Sequence, residues 1–201
     1  MALKTFVKIS DVNNLSDARY CAGMMVDIIG FNVDPTSDSR ISPEDFKEIT
    51  EWVAGVQFAG EFTDASKDTI CEALNEYPID LIQISDLNQV EAINLLGKPM
   101  IFKLNVESSE DVAAIKSKLS YLDELVKIVI LKSTKEDLFE EIDAQIGYYN
   151  GNLRLLKGYG LSENNQLAKF PGLELEALKE DRPGYKDYGM VMDVLEAIDE
   201  D

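Results

Sequence analysis

Histidine is absent from this 201-residue sequence, which removes both the commonest general base near neutral pH and the commonest zinc ligand. Cysteine occurs twice, at Cys21 and Cys71, each inside a predicted helix and far apart, as suits buried, reduced thiols better than a disulfide or a metal framework. Cations are scarce: 19 Lys and Arg face 38 Asp and Glu, a net charge of -19. No cluster of Lys or Arg offers the basic stripe that a nucleic-acid backbone needs, and the overall field repels anionic small molecules at long range. Solubility is the plainest use of so many acids. No segment reaches the roughly 18 consecutive apolar residues of a membrane span. Met1 to Lys8 lacks the apolar run and small-residue cleavage site of a secretory signal. The expectation is a cytoplasmic protein with neither nucleic acid nor membrane as partner, no metal and no cofactor.

What is present is a packed composition, 45% apolar and 28% charged. Short runs rich in Val, Ile and Phe alternate with longer stretches of helical period, the pattern of βα units on a parallel sheet. Predicted strands are Thr5–Ile9, Asp27–Asn32, Gly55–Phe58, Asp80–Ile84, Met100–Asn105, Lys127–Leu131, Leu153–Lys157 and Gly172–Glu176. Predicted helices start at Ser16, at Ser42-Pro43-Glu44 and at Ser108, with others over Asp64–Glu76, Leu87–Leu96, Lys135–Ile146, Glu163–Lys169 and Asp187–Ile198. Eight units in one stretch, residues 1–201, predict a single α/β domain, a (β/α)8 TIM barrel, in a chain shorter than the usual length of about 250 residues. An open sheet with a nucleotide site would carry glycines after the first strand, and Ser10-Asp11-Val12-Asn13-Asn14 has none.

Val7-Lys8-Ile9-Ser10-Asp11-Val12-Asn13-Asn14-Leu15-Ser16-Asp17-Ala18 resembles the V-K-I-C-G-I-T-N-x-E-D-A opening of phosphoribosylanthranilate isomerases. Gly30-Phe31 with Pro35 to Glu44, Ile82-Gln83-Ile84, Gly158 to Leu161 and Pro183-Gly184-Tyr185-Lys186-Asp187 are similar to further motifs of that family, in its order. The resemblance implies a small barrel that performs an Amadori rearrangement in tryptophan biosynthesis, with a cysteine base after the first strand and an aspartic acid after the sixth. Ser10 stands at the cysteine position and Lys132 at the aspartate position. A hydroxyl has no thiolate form near neutral pH, and a lysine of ordinary pKa about 10.4 is a poor proton donor to a sugar oxygen. The glycine-rich loop that the family carries after the sixth strand has no counterpart. The arginine expected near the anthranilate carboxylate is read as Arg40, one residue beyond direct alignment. Gly158 and Gly160 keep part of the seventh-strand phosphate turn, while Glu176 brings a carboxylate toward the eighth-strand half of it.

Lys8, Lys103, Lys132 and Lys157 fall on or beside strands whose neighbours are apolar, so each must reach water at a barrel end or pair with an acid. Asp11, Asp34, Glu61, Asp86 and Glu176 are the expected partners. Four readings stand side by side. The first is a barrel degenerate for the rearrangement, with a binding or regulatory role or a changed ligand. The second is a true isomerase with Asp11 as substitute base and Lys132 as acid. The third is a Schiff-base enzyme on Lys132, which needs a depressed pKa. The fourth is an interaction module on the same fold. The expected ligand is a small molecule at the C-terminal mouth, a sugar phosphate first, touching Lys8, Arg40, Gln83, Lys103, Gly158, Gly160 and Glu176. The expected assembly is a monomer or homodimer. Trp52 reads as core or rim packing, and Met24, Met25, Met190 and Met192 as helix packing.

Overall fold

The computed structural model describes residues 3–147, 149–162, 167, 170–177 and 189–199. Eight parallel strands close into a barrel in sequence order. They are β1 (Phe6–Ser10), β2 (Ile28–Asn32), β3 (Gln57–Glu61), β4 (Leu81–Ile84), β5 (Met100–Asn105), β6 (Ile128–Lys132), β7 (Arg154–Gly158) and β8 (Gly172–Glu176). Closure is made by β1 and β8, paired from Phe6 opposite Gly172 to Ser10 opposite Glu176. The α-helices among the described residues are α1 (Leu15–Gly23), α2 (Pro43–Glu51), α3 (Lys67–Glu76), α4 (Val90–Asn94), α5 (Ser109–Leu122), α6 (Phe139–Ile146) and α7 (Gly189–Ala197), with short 3-10 turns over Leu87–Gln89 and Glu136–Leu138 leading into α4 and α6.

Local chemistry explains the helix starts. Asn14, Ser42, Ser66 and Ser108 have extended backbones, and their side chains accept from the backbone N–H three residues on, satisfying one of the orphan donors of a first turn. Pro43 follows the Ser42 cap, where its missing N–H costs nothing. The third strand runs later than its sequence suggests because Gly55, at φ 84°, belongs to the preceding turn and the strand itself carries Ala59 and Gly60. Packing expectations fail at Cys71, exposed on α3 unlike buried Cys21, and at Met25 and Met192, 57% and 36% exposed. Trp52, 65% exposed, lies at the rim beneath the Arg19 guanidinium. The helix predicted over 163–169, the motif at 183–187 and the side chain of Met190 lie outside the described residues.

Strand periodicity then divides the side chains. Odd-numbered positions of β1 face the helices, where Val7 and Ile9 join a core that includes Phe31, Phe46, Phe58 and Tyr77 packed edge to face. The even-numbered positions of β1 face the barrel axis, and each other strand likewise turns alternate residues inward. Toward the N-terminal ends of the strands that interior is Phe6, Ile28, Ala59, Leu81, Ile101, Ile128, Ile130 and Leu156, an apolar plug. One step further along the same faces come Lys8, Gly30, Glu61, Gln83, Lys103, Lys132, Gly158 and Glu174. The barrel interior is thus oil below and charge above.

Candidate functional site

The charged layer is a chain of alternating signs around the C-terminal mouth. Glu61 Oε1 pairs with Lys8 Nζ, which also donates to Ser10 Oγ. Ser10 donates onward to Glu174 Oε1 at 2.7 Å, and Lys132 Nζ lies 3.0 Å from both Glu174 Oε2 and Glu176 Oε1. Lys103 Nζ closes the series 3.4 Å from Glu176 Oε1. Two glycines make this possible. A Cβ at Gly30 would overlap the Glu61 carboxylate and stand 2.8 Å from Lys8 Nζ; one at Gly158 would stand 2.8 Å from Glu174 Oε2. Lys8, Ser10 and Glu174 are sealed from solvent, whereas Lys103, Lys132 and Glu176 are half-buried at the rim.

The ionisation of the rim follows from those pairings. Burial by itself would lower the Lys132 ammonium, but Glu174 and Glu176 outweigh it and hold the pKa above its ordinary value. Burial likewise would raise Glu176, and Lys132 with Lys103 hold it below the usual carboxylate value. Asp11, one residue past β1, differs. The barrel wall crowds its carboxyl although the residue reaches solvent, and desolvation raises its pKa; Glu61 and then Glu176 push the same way, against Lys103 and Lys8. Its backbone sits at φ 57°, the left-handed region that costs a side-chain-bearing residue energy and occurs at functional sites.

Asp11 lines a pocket of about 190 Å³ over the ends of β2 to β5, with Asn32, Glu61, Gln83, Lys103 and Asn105. Gln83 is 5% exposed and its Oε1 has no hydrogen-bond partner. Two larger cavities, about 240 Å³ near Tyr149 between α5 and α6 and about 680 Å³ over the N-terminal strand ends, lie away from this constellation.

Of the expected site residues, Lys8, Ser10, Asp11, Gln83, Lys103, Lys132 and Glu176 do converge on the mouth. Others do not. Arg40 donates to Tyr77 Oη and pairs with Glu76, outside the pocket, because the phenol at the end of α3 captures its guanidinium. Gly158 is covered by Glu174 and Lys132, and Gly160, at φ 58°, packs against the Phe139 ring. Lys157 points outward, as its odd place between inward Leu156 and Gly158 dictates, and binds Asp143 of α6 at 2.7 Å. Asp34 accepts from the backbone N–H groups of Thr63, Asp64 and Ala65, and Asp86 from that of Asn88; neither serves a lysine. The Schiff-base reading of Lys132 needs a depressed pKa, whereas the Glu174 and Glu176 carboxylates beside the ammonium push it the other way. The Ser10 hydroxyl donates to the Glu174 carboxylate. The signal for that pair was strand parity together with the β1–β8 register, in which Lys8 lies opposite Glu174.

Comparison with known proteins places this geometry. The family model for N-(5'-phosphoribosyl)anthranilate (PRA) isomerase matches residues 7–135, which span Ser10, Asp11, Lys103 and Lys132 but stop short of β7 and β8. An N-(5'-phosphoribosyl)anthranilate isomerase of Leptospira borgpetersenii serovar Hardjo-bovis is 33% identical over 135 residues, 62% of this chain and 62% of the relative's own length. The fold is similar to that of phosphoribosyl anthranilate isomerase from Thermotoga maritima, with a TM-score of 0.74 at 21% identity, covering 96% of this chain and 98% of that one. Another such isomerase, solved in complex with reduced 1-(o-carboxyphenylamino)-1-deoxyribulose 5-phosphate, gives a TM-score of 0.72 at 20% identity with the same coverage.

Proposed function

The chain belongs to the N-(5'-phosphoribosyl)anthranilate isomerase family, a barrel family of tryptophan biosynthesis, and from that membership we propose that it is an isomerase of a phosphorylated aminosugar working with groups of its own. Asp11 moves the carbon-bound proton in this reading, and Lys132 serves the sugar oxygen. The observation that supports it most is Asp11 itself. A carboxyl is kept at φ 57°, where the family pattern has an unstrained glycine, and that carboxyl faces the open pocket with its basicity raised.

The rearrangement needs two proton movements. Protonation of the ring oxygen breaks its bond to the anomeric carbon and leaves an iminium; loss of the neighbouring carbon's proton feeds that bond's electrons into the iminium, and the enol formed settles as a ketone. A carboxylate with raised pKa is the better base for the second movement. Lys132, held as an ammonium by Glu174 and Glu176, is the acid: its Nζ–H proton passes to the ring oxygen as the bond to the anomeric carbon breaks, and water reprotonates the neutral amine left behind. Ser10, sealed beneath Lys132 and Glu174, takes no direct part. The family relationship and the named activity of the curated relative favour this reading over a degenerate barrel with a changed ligand. The degenerate reading draws on Glu174 and Glu176, carboxylates at the strand end where a barrel usually receives phosphate.

Turnover of phosphoribosylanthranilate by the purified protein is the test. The wild type should convert it, and Asp11→Asn should lose about 10²- to 10⁴-fold in kcat with the fold intact. A folded wild type without turnover, or a variant as fast as the wild type, would reject the proposal.

A further inference from the structure

We propose that Glu61 is a positioning residue for Asp11: one of its carboxylate oxygens holds the Asp11 backbone N–H while the other is fixed by buried Lys8, so that the Glu61 carboxylate stands beside the Asp11 carboxyl. The inference rests on the isomerase reading, in which Asp11 is the base.

The geometry is specific. Glu61 Oε2 accepts from Asp11 N at 3.1 Å, across 50 residues of sequence, and Glu61 Oε1 takes the Lys8 ammonium. Lys8 is wholly buried and Glu61 almost so, and their pair occupies the space that the missing side chain of Gly30 leaves on β2. A buried ion pair of this kind contributes little net stability compared with well-packed apolar residues of similar size. Here it has two other effects. The hydrogen bond to the N–H pins the left-handed turn that aims Asp11 at the pocket, and the charge disfavours a second anion next to it. Among the described residues, the charged groups acting on Asp11 are Glu61 on β3, Glu176 on β8, Lys103 on β5 and Lys8 on β1. Of the two acids, Glu61 acts more strongly.

Glu61→Gln keeps the shape and an oxygen for the Asp11 N–H but removes the charge. It also leaves the Lys8 ammonium unpaired, which acts on Asp11 in the same direction. The Asp11 carboxyl, followed by carbon-13 NMR, should titrate at lower pH than in the wild type. The acid limb of the kcat profile should move with it, kcat should fall by about three- to tenfold as the base weakens, and KM should change little. Should Glu61→Gln not fold, Glu61→Gln with Lys8→Met removes the buried cation as well and keeps the same direction, because Glu61 outweighs Lys8 at Asp11. An unmoved Asp11 titration in either folded variant overturns the proposal. A wild type that binds and titrates normally but does not turn over would sink the isomerase reading alone, since the NMR titration still reports what Glu61 does.

Discussion

The two ends of the barrel interior are built on the same inward-facing strand positions with opposite materials. Below, Ile28, Ala59, Leu81, Ile101, Ile128, Ile130 and Leu156 interlock without a polar atom among their side chains. Above, three ammonium groups and four carboxylates, counting Asp11, take their place. The lower layer gains from removal of apolar surface from water, roughly 25 cal/mol per Å². The upper layer must recover the desolvation of each charge by pairing it, and such pairs rarely do better than an apolar replacement. A layer that forgoes the cheaper packing solution is there for what its charges do at the open end.

Replacing one charge without its partner breaks that contrast most severely. Glu61→Leu leaves the Lys8 ammonium buried with only the Ser10 hydroxyl for company. The expected loss is about 3–5 kcal/mol in urea unfolding. Adding Lys8→Met should restore most of it, because the site then resembles the layer below. If the double variant is as unstable as the single one, packing and not charge distinguishes the two ends.

The same contrast shows what was legible in the sequence. The eight-unit alternation needs only local pattern, and β5 and β8 run over the residues expected. The expected strand at Gly55–Phe58 fell short because Ala59 and Gly60 lack the branched side chains that mark a strand, although the barrel demands small residues there. The mouth was half visible. Lysines amid apolar neighbours announce buried charge, but which lysine faces inward depends on strand parity, and parity is what separates Lys132 from Lys157. Partner choice was hidden further still: Ser10 finds Glu174 across 164 residues through barrel closure, and Arg40 is lost to Tyr77 across 37. The left-handed backbone of Asp11 was hinted at only by the glycine of the family pattern.

A smaller effect sharpens the comparison at that strained position. Asp11→Gly should relieve the cost of φ 57° and remove the crowded carboxyl, so the folded state should gain about 1 kcal/mol. Calorimetric unfolding near neutral pH measures it. Turnover should fall together with the gain in stability, the opposite of what a purely structural residue would give. A variant that is less stable than the wild type would mean that the Asp11 side chain supports the turn instead of burdening it.

The least effect is expected at Glu176, and its sign depends on pH. Lys132 and Lys103 hold the folded carboxyl below its ordinary value. Its contribution is therefore present above the unfolded pKa and is lost as pH falls through the folded one. The side chain is 43% exposed, so screening keeps that contribution under about 1 kcal/mol. Glu176 also burdens Asp11, whose raised pKa works the other way: that cost is present above the folded Asp11 value and vanishes in acid. Glu176→Gln should thus show a small deficit in urea stability at neutral pH, reduced by relief at Asp11, and the deficit should close as the solution is acidified through the carboxylate range. A deficit that grows on acidification would mean that the Glu176 pairings with Lys132 and Lys103 do not hold its charge in the folded state.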